Sequence, residues 1–172
     1  MNDRLFYSSD RRFGLRIPDR EVARILKFCR TAVPRETGGV FVGAYTPALD
    51  CAVVFEASAA PVDSSAGPTW FRRGVDGLHR WLRRLWSSRK YYLGEWHFHP
   101  HAVPDPSSTD IEQLRAIADS SSYSCPEPLL LILGGDPDAS YALRAFVYPQ
   151  GKELIELSEV CDDLLQAPSA SE

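Results

Sequence analysis

Several kinds of chemistry are missing from this sequence. It has no Cys-x-x-Cys pair: Cys29, Cys51, Cys125 and Cys161 stand far apart. That argues against a four-thiolate structural zinc site and reads the cysteines as small buried hydrophobes. No apolar run approaches the ~20 residues of a membrane helix; the longest, "PLLLILGG", is strand-sized. The opening "MNDRLFYSSDRR" has no apolar core of a signal peptide, so the expected location is the cytoplasm, away from membranes. Positive charge is not in excess either, with a formal net charge of -4 and a pI near 5.6. Composition therefore makes no overall case for nucleic acid. His-x-Glu and His-Glu-x-x-His are both absent, which excludes the zinc deaminases and the metalloproteases built on those strings.

What is present is an ordinary globular chain with 44% hydrophobic and 24% charged residues. Its 172 residues predict one domain, 1–172, with a frayed polar tail over 166–172. "IPDREVARILKFCR" sets Val22, Ile25, Leu26 and Cys29 on one helical face, predicting a helix over 18–30 with Pro18 in its first turn. "ETGGVFVGAY" and "CAVVFEAS" read as strands, and the glycine pair marks close backbone approach or unusual dihedrals. "AAPVDSSAGPTWFRR" reads as a long loop. "GVDGLHRWLRRLWSS" aligns Val75, Leu78, Leu82 and Leu85 as a second helix.

"YYLGEWHFH" is a strand, and "STDIEQLRAIADSS" a third helix burying Ile111, Leu114, Ile117 and Ala118. "PLLLILGG", "SYALRAFVY" and "KELIELSEV" close the chain as strands, the last with a helical alternative from Ser158 onward. Interspersed strands and helices predict an α/β (α+β) fold, a mixed sheet flanked by helices.

Three of the four histidines fall within "GEWHFHPHAVPDPSSTD". On a strand, His97 and His99 project to one face while Trp96 and Phe98 pack on the other. Pro100 tends to end the strand, and the following turn is long enough for Asp110, in the first turn of the next helix, to approach the same ion. Two imidazoles and one carboxylate leave a zinc ion one open position, which is the mark of a catalytic rather than a structural site. Spacing alone leaves a second reading open. Strand histidines are commonly just half-buried and hydrogen-bonded, and Ser107, Ser108 and Asp110 also suit a helix N-cap and first-turn acid. His101 stays outside the ligand set, because the intervening proline makes its direction unreadable.

His97-x-His99-Pro100, six residues, then Ser107-x-x-Asp110, together with the upstream "ETGGVFVG", closely resembles the JAMM motif of the JAB/MPN+ zinc isopeptidases. The resemblance spans most of the chain. It implies the JAB/MPN deubiquitinase-like fold, a curved mixed β-sheet flanked by helices. It implies one catalytic Zn2+ held by His97, His99 and Asp110, with Glu36 as general base and Ser107 donating to the oxyanion. The motif also resembles RadC-like proteins, but no helix-hairpin-helix pattern precedes residue 36, and sulfur-carrier-trimming peptidases are typically shorter. "RETGGVFVGAY", the Trp/Arg-rich helix and the length look most like the bacterial JAB deconjugating peptidases of CBASS anti-phage and related ubiquitin-like conjugation operons.

That resemblance implies cleavage of the amide after a carrier's C-terminal residue. The carrier would be a ubiquitin-like protein or the C-terminal tail of a CD-NTase-type synthase, with E1/E2-like proteins as operon partners. The tail would thread the cleft extended, pairing with an edge strand, with "AAPVDSSAGPTWFRR" as part of the groove. A non-catalytic MPN scaffold is the alternative, although none of the five functional positions is substituted. Residues 70–90 hold six arginines and a lysine against one aspartate, +6 locally, with Trp70, Trp81 and Trp86 interleaved. The favoured reading is a helix with a buried leucine face and arginines solvated or paired with surface acids. A protein partner comes next and nucleic acid last.

Overall fold

The structure is a computed structural model and describes residues 3–160. The 166–172 tail, Cys161 and any helix after Val160 lie outside the described residues. In chain order the elements are β1 (Asp3–Tyr7), β2 (Gly14–Pro18), α1 (Asp19–Ala32), β3 (Thr37–Tyr45), β4 (Cys51–Ala57), β5 (Ser65–Gly67) and β6 (Trp70–Arg72). Then come α2 (Leu78–Trp86), β7 (Tyr91–Pro100), α3 (Ser108–Asp119), β8 (Leu129–Gly135), β9 (Tyr141–Val147) and β10 (Ile155–Val160).

The expected mixed sheet with three helices is there, and it is curved to the point of closure. Eight strands run in the order β1–β10–β9–β8–β7–β3–β4–β2, and β2 returns to pair with β1. Closure depends on β1 and β2, which the sequence reading left unassigned. Leu15 and Ile17 are fully buried while Arg16 between them is half-buried, a period-2 pattern too short to separate from the helix that follows. Pro18 ends β2 and caps α1 with ψ 142°, so it is not in the helix's first turn. The pairs β2·β4 and β7·β8 are parallel and the remaining barrel pairs antiparallel.

The continuous apolar run of β8 follows from burial on both faces. Leu129, Leu131 and Leu133 join the barrel core, while Leu130 and Ile132 pack with Leu114 and Ala118 of α3. α3 is the crossover between parallel β7 and β8, and its N-terminus therefore returns to the end of β7 where the histidines lie.

Two expectations are corrected. α2 starts at Leu78, not before Val75, which is 52% exposed. The Asp63 carboxylate accepts the N–H groups of Val75 and Asp76, each at 3.0 Å, and Gly77 has φ 72°, which holds 74–77 as a turn. The long loop contains a hairpin: β5 and β6 pair from Ser65↔Arg72 to Gly67↔Trp70 around Pro68 and Thr69. Strands of three residues carry too little periodicity to be read. In the basic stretch, Arg72, Arg80, Arg83, Arg84, Arg89 and Lys90 have no acid within 4.0 Å among the described residues, which is the solvated alternative. Arg73 departs from both alternatives, being buried against Glu95.

Candidate metal centre

β7 presents Trp96 and Phe98, both fully buried, to the barrel core and turns Glu95, His97 and His99 to the other side. His97, His99 and Asp110 offer ligand atoms that all lie within 4.8 Å of one another. His97 Nδ1 is 2.6 Å from Asp110 Oδ1, and His99 Nε2 is 3.9 Å from Asp110 Oδ2. Ligands on a tetrahedral ion at ~2.0–2.1 Å stand roughly 3.3 Å apart. The two nitrogens and the carboxylate therefore converge as a zinc-type donor set does, to within about 1.5 Å of that spacing.

Electrostatics give the same picture, with a proton in the cation's place. Burial alone would discharge His97, but its hydrogen bonds to Asp110 and Glu95 win and lift it to about 9. Burial would raise Asp110, yet the His97 ring and Ser107 hold it at about 2. Burial pushes His99 down, against the pull of Asp110. His101, past the strand end, has φ 57°, is exposed and is outside the group.

Asp110 is held by its helix. Ser107 is the N-cap of α3; its hydroxyl donates to Asp110 Oδ2 at 2.7 Å and accepts the Asp110 N–H at 3.2 Å. The Ser107 N–H also donates to Oδ2, at 2.8 Å, completing a capping box. The carboxylate that completes the cap of α3 is thus the one that faces both histidines.

Glu36 precedes β3, whose register Thr37↔Phe98 and Gly38↔His97 carries it to the histidine end of β7. It lines a cavity of about 250 Å³ with Arg35, Thr37, Ser64, Ser65 and Phe71. Burial first and the Asp110 charge second raise its carboxyl to about 7, against the pull of His97. Its N–H is tied to the Gly67 carbonyl at 2.8 Å, so the hairpin expected as a loop covers this end of the site. Phe71 of β6 sets its ring edge-on to His97, 5.6 Å between centroids.

The glycine pair is explained by packing. A Cβ on Gly38 would sit 2.6 Å from the Trp96 carbonyl oxygen, 2.7 Å from Phe71 and 2.9 Å from the His97 ring. On Gly39 it would meet the Ser58 carbonyl oxygen at 2.2 Å. The close approach expected at the glycine pair is therefore there, of Gly38 to β7 and of Gly39 to the backbone just after β4.

The sequence reading missed Glu95, which is 1% exposed. It accepts from Arg73 Nε at 2.7 Å, Tyr92 Oη at 3.1 Å and Gln113 Nε2 at 2.6 Å, and its Oε2 lies 3.4 Å from His97 Nε2. The available signal was parity, since an acid two residues before His97 shares its face. No parity links Arg73 or Gln113 to the site; only the fold brings them there.

The model of the family described as prokaryotic homologs of the JAB domain matches residues 18–147. The chain is 41% identical over 160 residues to a CD-NTase/cGAS isopeptidase of Enterobacter hormaechei subsp. hoffmannii (strain UCI 50), covering 93% of this chain and 89% of that one. It is 32% identical over 130 residues to a probable metalloprotease, y4qB, of Sinorhizobium fredii (strain NBRC 101917 / NGR234), covering 71% and 76%. The solution structure of protein DSY2949 from Desulfitobacterium hafniense shares the fold, with a TM-score of 0.60 at 18% identity over 84% of this chain and 88% of that one. No helix of the described residues is long and apolar enough to cross a membrane. The chain belongs to the prokaryotic JAB-domain family and is a hydrolase of its isopeptidase and metalloprotease kind.

Proposed function

We propose that this isopeptidase uses zinc to hydrolyse the amide after the C-terminal residue of a CD-NTase-type synthase that has been joined through its tail to a lysine or other amine. One observation carries the reading. His97, His99 and Asp110 converge within 4.8 Å and share their electrostatics with a Glu36 carboxyl raised to about 7, in a chain 41% identical to a protein named for acting on CD-NTase/cGAS. The assignment is to one domain, since β1 and β10 pair with each other. E1/E2-like proteins are the proposed makers of the conjugate.

In this reading His97, His99 and Asp110 hold the ion. Zinc, when bound, supplies Lewis-acid polarisation and makes hydroxide available near neutral pH. Glu36 takes a proton onto its carboxylate and passes it to the departing amine nitrogen, and a pKa near 7 suits both halves of that transfer. The Ser107 hydroxyl proton is directed at Asp110 Oδ2 here, so its proposed service to the oxyanion requires the O–H to rotate. Every barrel strand already has two neighbours. Pairing with an extended substrate tail therefore falls to the β5–β6 hairpin, whose strands have one partner each and which touches both Glu36 and His97.

The test is to incubate the purified protein with a CD-NTase-type synthase tail and a bacterial ubiquitin-like tail, each fused to a reporter. Wild type, Glu36→Ala and metal-stripped protein run side by side, with products mapped by intact mass. Cleavage directly after the synthase tail, lost in both controls, is the expected result. Cleavage of the ubiquitin-like fusion alone moves the substrate to that class, and neither cleavage nor bound zinc returns the chain to a scaffold.

A further inference from the structure

We infer that Glu95 is a positioning residue of the metal centre: it holds the Nε2 side of the His97 ring so that Nδ1 is the atom presented to Asp110 and the ion. The inference rests on the metal-centre reading above. Glu95 sits two residues before His97, on the same face of β7 and out of solvent. A carboxylate there is tolerated only when paired and hydrogen-bonded, and this one faces four partners. Oε1 accepts from Arg73 Nε and Tyr92 Oη; Oε2 accepts from Gln113 Nε2 and faces His97 Nε2.

These partners come from the segment after β6, from β7 and from α3, three parts of the chain that this carboxylate ties together. A buried ion pair such as Arg73–Glu95 is weak support for stability, because apolar replacements of equal volume are often as stable. Stability therefore does not account for an ionic cluster whose last member is a ligand ring. Orientation does. An imidazole bound to a metal through one nitrogen keeps its proton on the other, and a carboxylate facing that N–H selects both the ring angle and the tautomer. At 3.4 Å the contact is longer than an ordinary N–H···O bond, so it aims the ring without clamping it. Arg73 neutralises Glu95, which leaves Asp110 as the charge that His97 and the ion share. The Arg73 guanidinium also donates to Tyr123 Oη at 2.7 Å, fixing the segment after the hairpin to the same cluster.

Glu95→Gln makes the argument testable through one asymmetry. An amide that keeps its oxygen toward Arg73 and Tyr92 turns its NH2 toward Gln113 and His97 Nε2. Nε2 must then accept, the ring proton moves to Nδ1, and the atom facing the ion is blocked. The experiment measures zinc affinity by chelator competition, the visible absorption of the cobalt-substituted protein, and Tm, for wild type, Glu95→Gln, Glu95→Asp and Tyr92→Phe.

Expected are zinc binding weakened about 10–100-fold in Glu95→Gln and an altered cobalt band, with Tyr92→Phe unchanged in both because it removes a donor that never touches His97. Glu95→Asp keeps the charge but shortens the reach; it loosens zinc too, and it decides alone if Glu95→Gln does not fold. Wild-type zinc affinity and cobalt spectrum in the folded Glu95 variants overturn the inference. So does an equal loss in Tyr92→Phe, which would assign the effect to cluster packing. A wild-type protein that takes up no stoichiometric zinc overturns the metal-centre reading and this inference together, whereas tight zinc without cleavage of any carrier leaves this inference to its own result.

Discussion

Gly38→Ala adds one methyl group at the register position opposite His97, where nearly every neighbour is part of the site. The new Cβ meets the Phe71 ring at 2.7 Å and the His97 ring at 2.9 Å, both side chains that can swing aside. It also meets the Trp96 carbonyl oxygen at 2.6 Å, and that oxygen is backbone in the middle of β7, between the parallel β8 and the antiparallel β3. It cannot yield without parting the two strands. Overpacking of this kind costs about 1–3 kcal/mol. For a chain of this size each kcal/mol lowers Tm by about 2–4 °C, so the expected fall is about 2–12 °C. Displacing the His97 ring adds a loss that ordinary core strain would not, a fall in zinc affinity of about tenfold or more. Differential scanning calorimetry of the metal-free protein and chelator competition on the same preparation separate the two. A Gly38→Ala protein with wild-type Tm would refute the packing argument. One that is destabilised yet binds zinc as wild type does would refute the link from glycine to ligand ring.

Glu36→Ala should lower kcat by about 10²–10⁴-fold, the range for losing a general base, while Tm and zinc content in the purified protein hold; an unimpaired rate would remove Glu36 from the mechanism. Ser107→Ala should cost about 1 kcal/mol of stability through the lost N-cap, and about 10²–10³-fold in kcat if the hydroxyl also serves the oxyanion; lowered Tm with full activity would leave only the cap. In the metal-free protein, His97 is raised from 6.5 to about 9, so its stabilisation is complete below pH 6.5 and is lost as the pH rises through 9. Asp110 is depressed from 3.8 to about 2, so its stabilisation is present above pH 3.8 and is lost as the pH falls through 2. Metal-free Tm should therefore be highest near pH 4, falling first as Glu36, raised from 4.5 to about 7, ionises and then toward pH 9 as His97 loses its proton, the second decline being the one that His97→Ala flattens. Zinc must displace the His97 proton, so its affinity should rise with pH over that same interval, and a pH-independent affinity would contradict the shared proton.

The chain's own order determined which residues share a face. Alternation along "EWHFH" set His97 and His99 apart from Trp96 and Phe98 because a strand repeats every two residues. Ser107-x-x-Asp110 marked a helix start because the four unpaired N–H groups there call for oxygen acceptors. The unbroken apolar run at 129–133 marked a strand, and its burial on both faces came from the barrel core and α3. Glu36 was readable only by resemblance, since a lone acid between a helix and a strand has no local signature.

Which faces meet was decided by the tertiary structure. Closure of the barrel needed β1 and β2, five-residue strands whose partners β4 and β10 lie far along the chain. The hairpin over the site is held by a carbonyl at Gly67 and an N–H at Glu36 that no short-range pattern connects. Glu95 gained its place beside His97 from parity, but its role from Arg73, Tyr92 and Gln113, which converge only after folding. Periodicity is a property of neighbouring residues; the close approach of Gly38 to His97 and the burial of an acid with its four partners are properties of chains that have crossed.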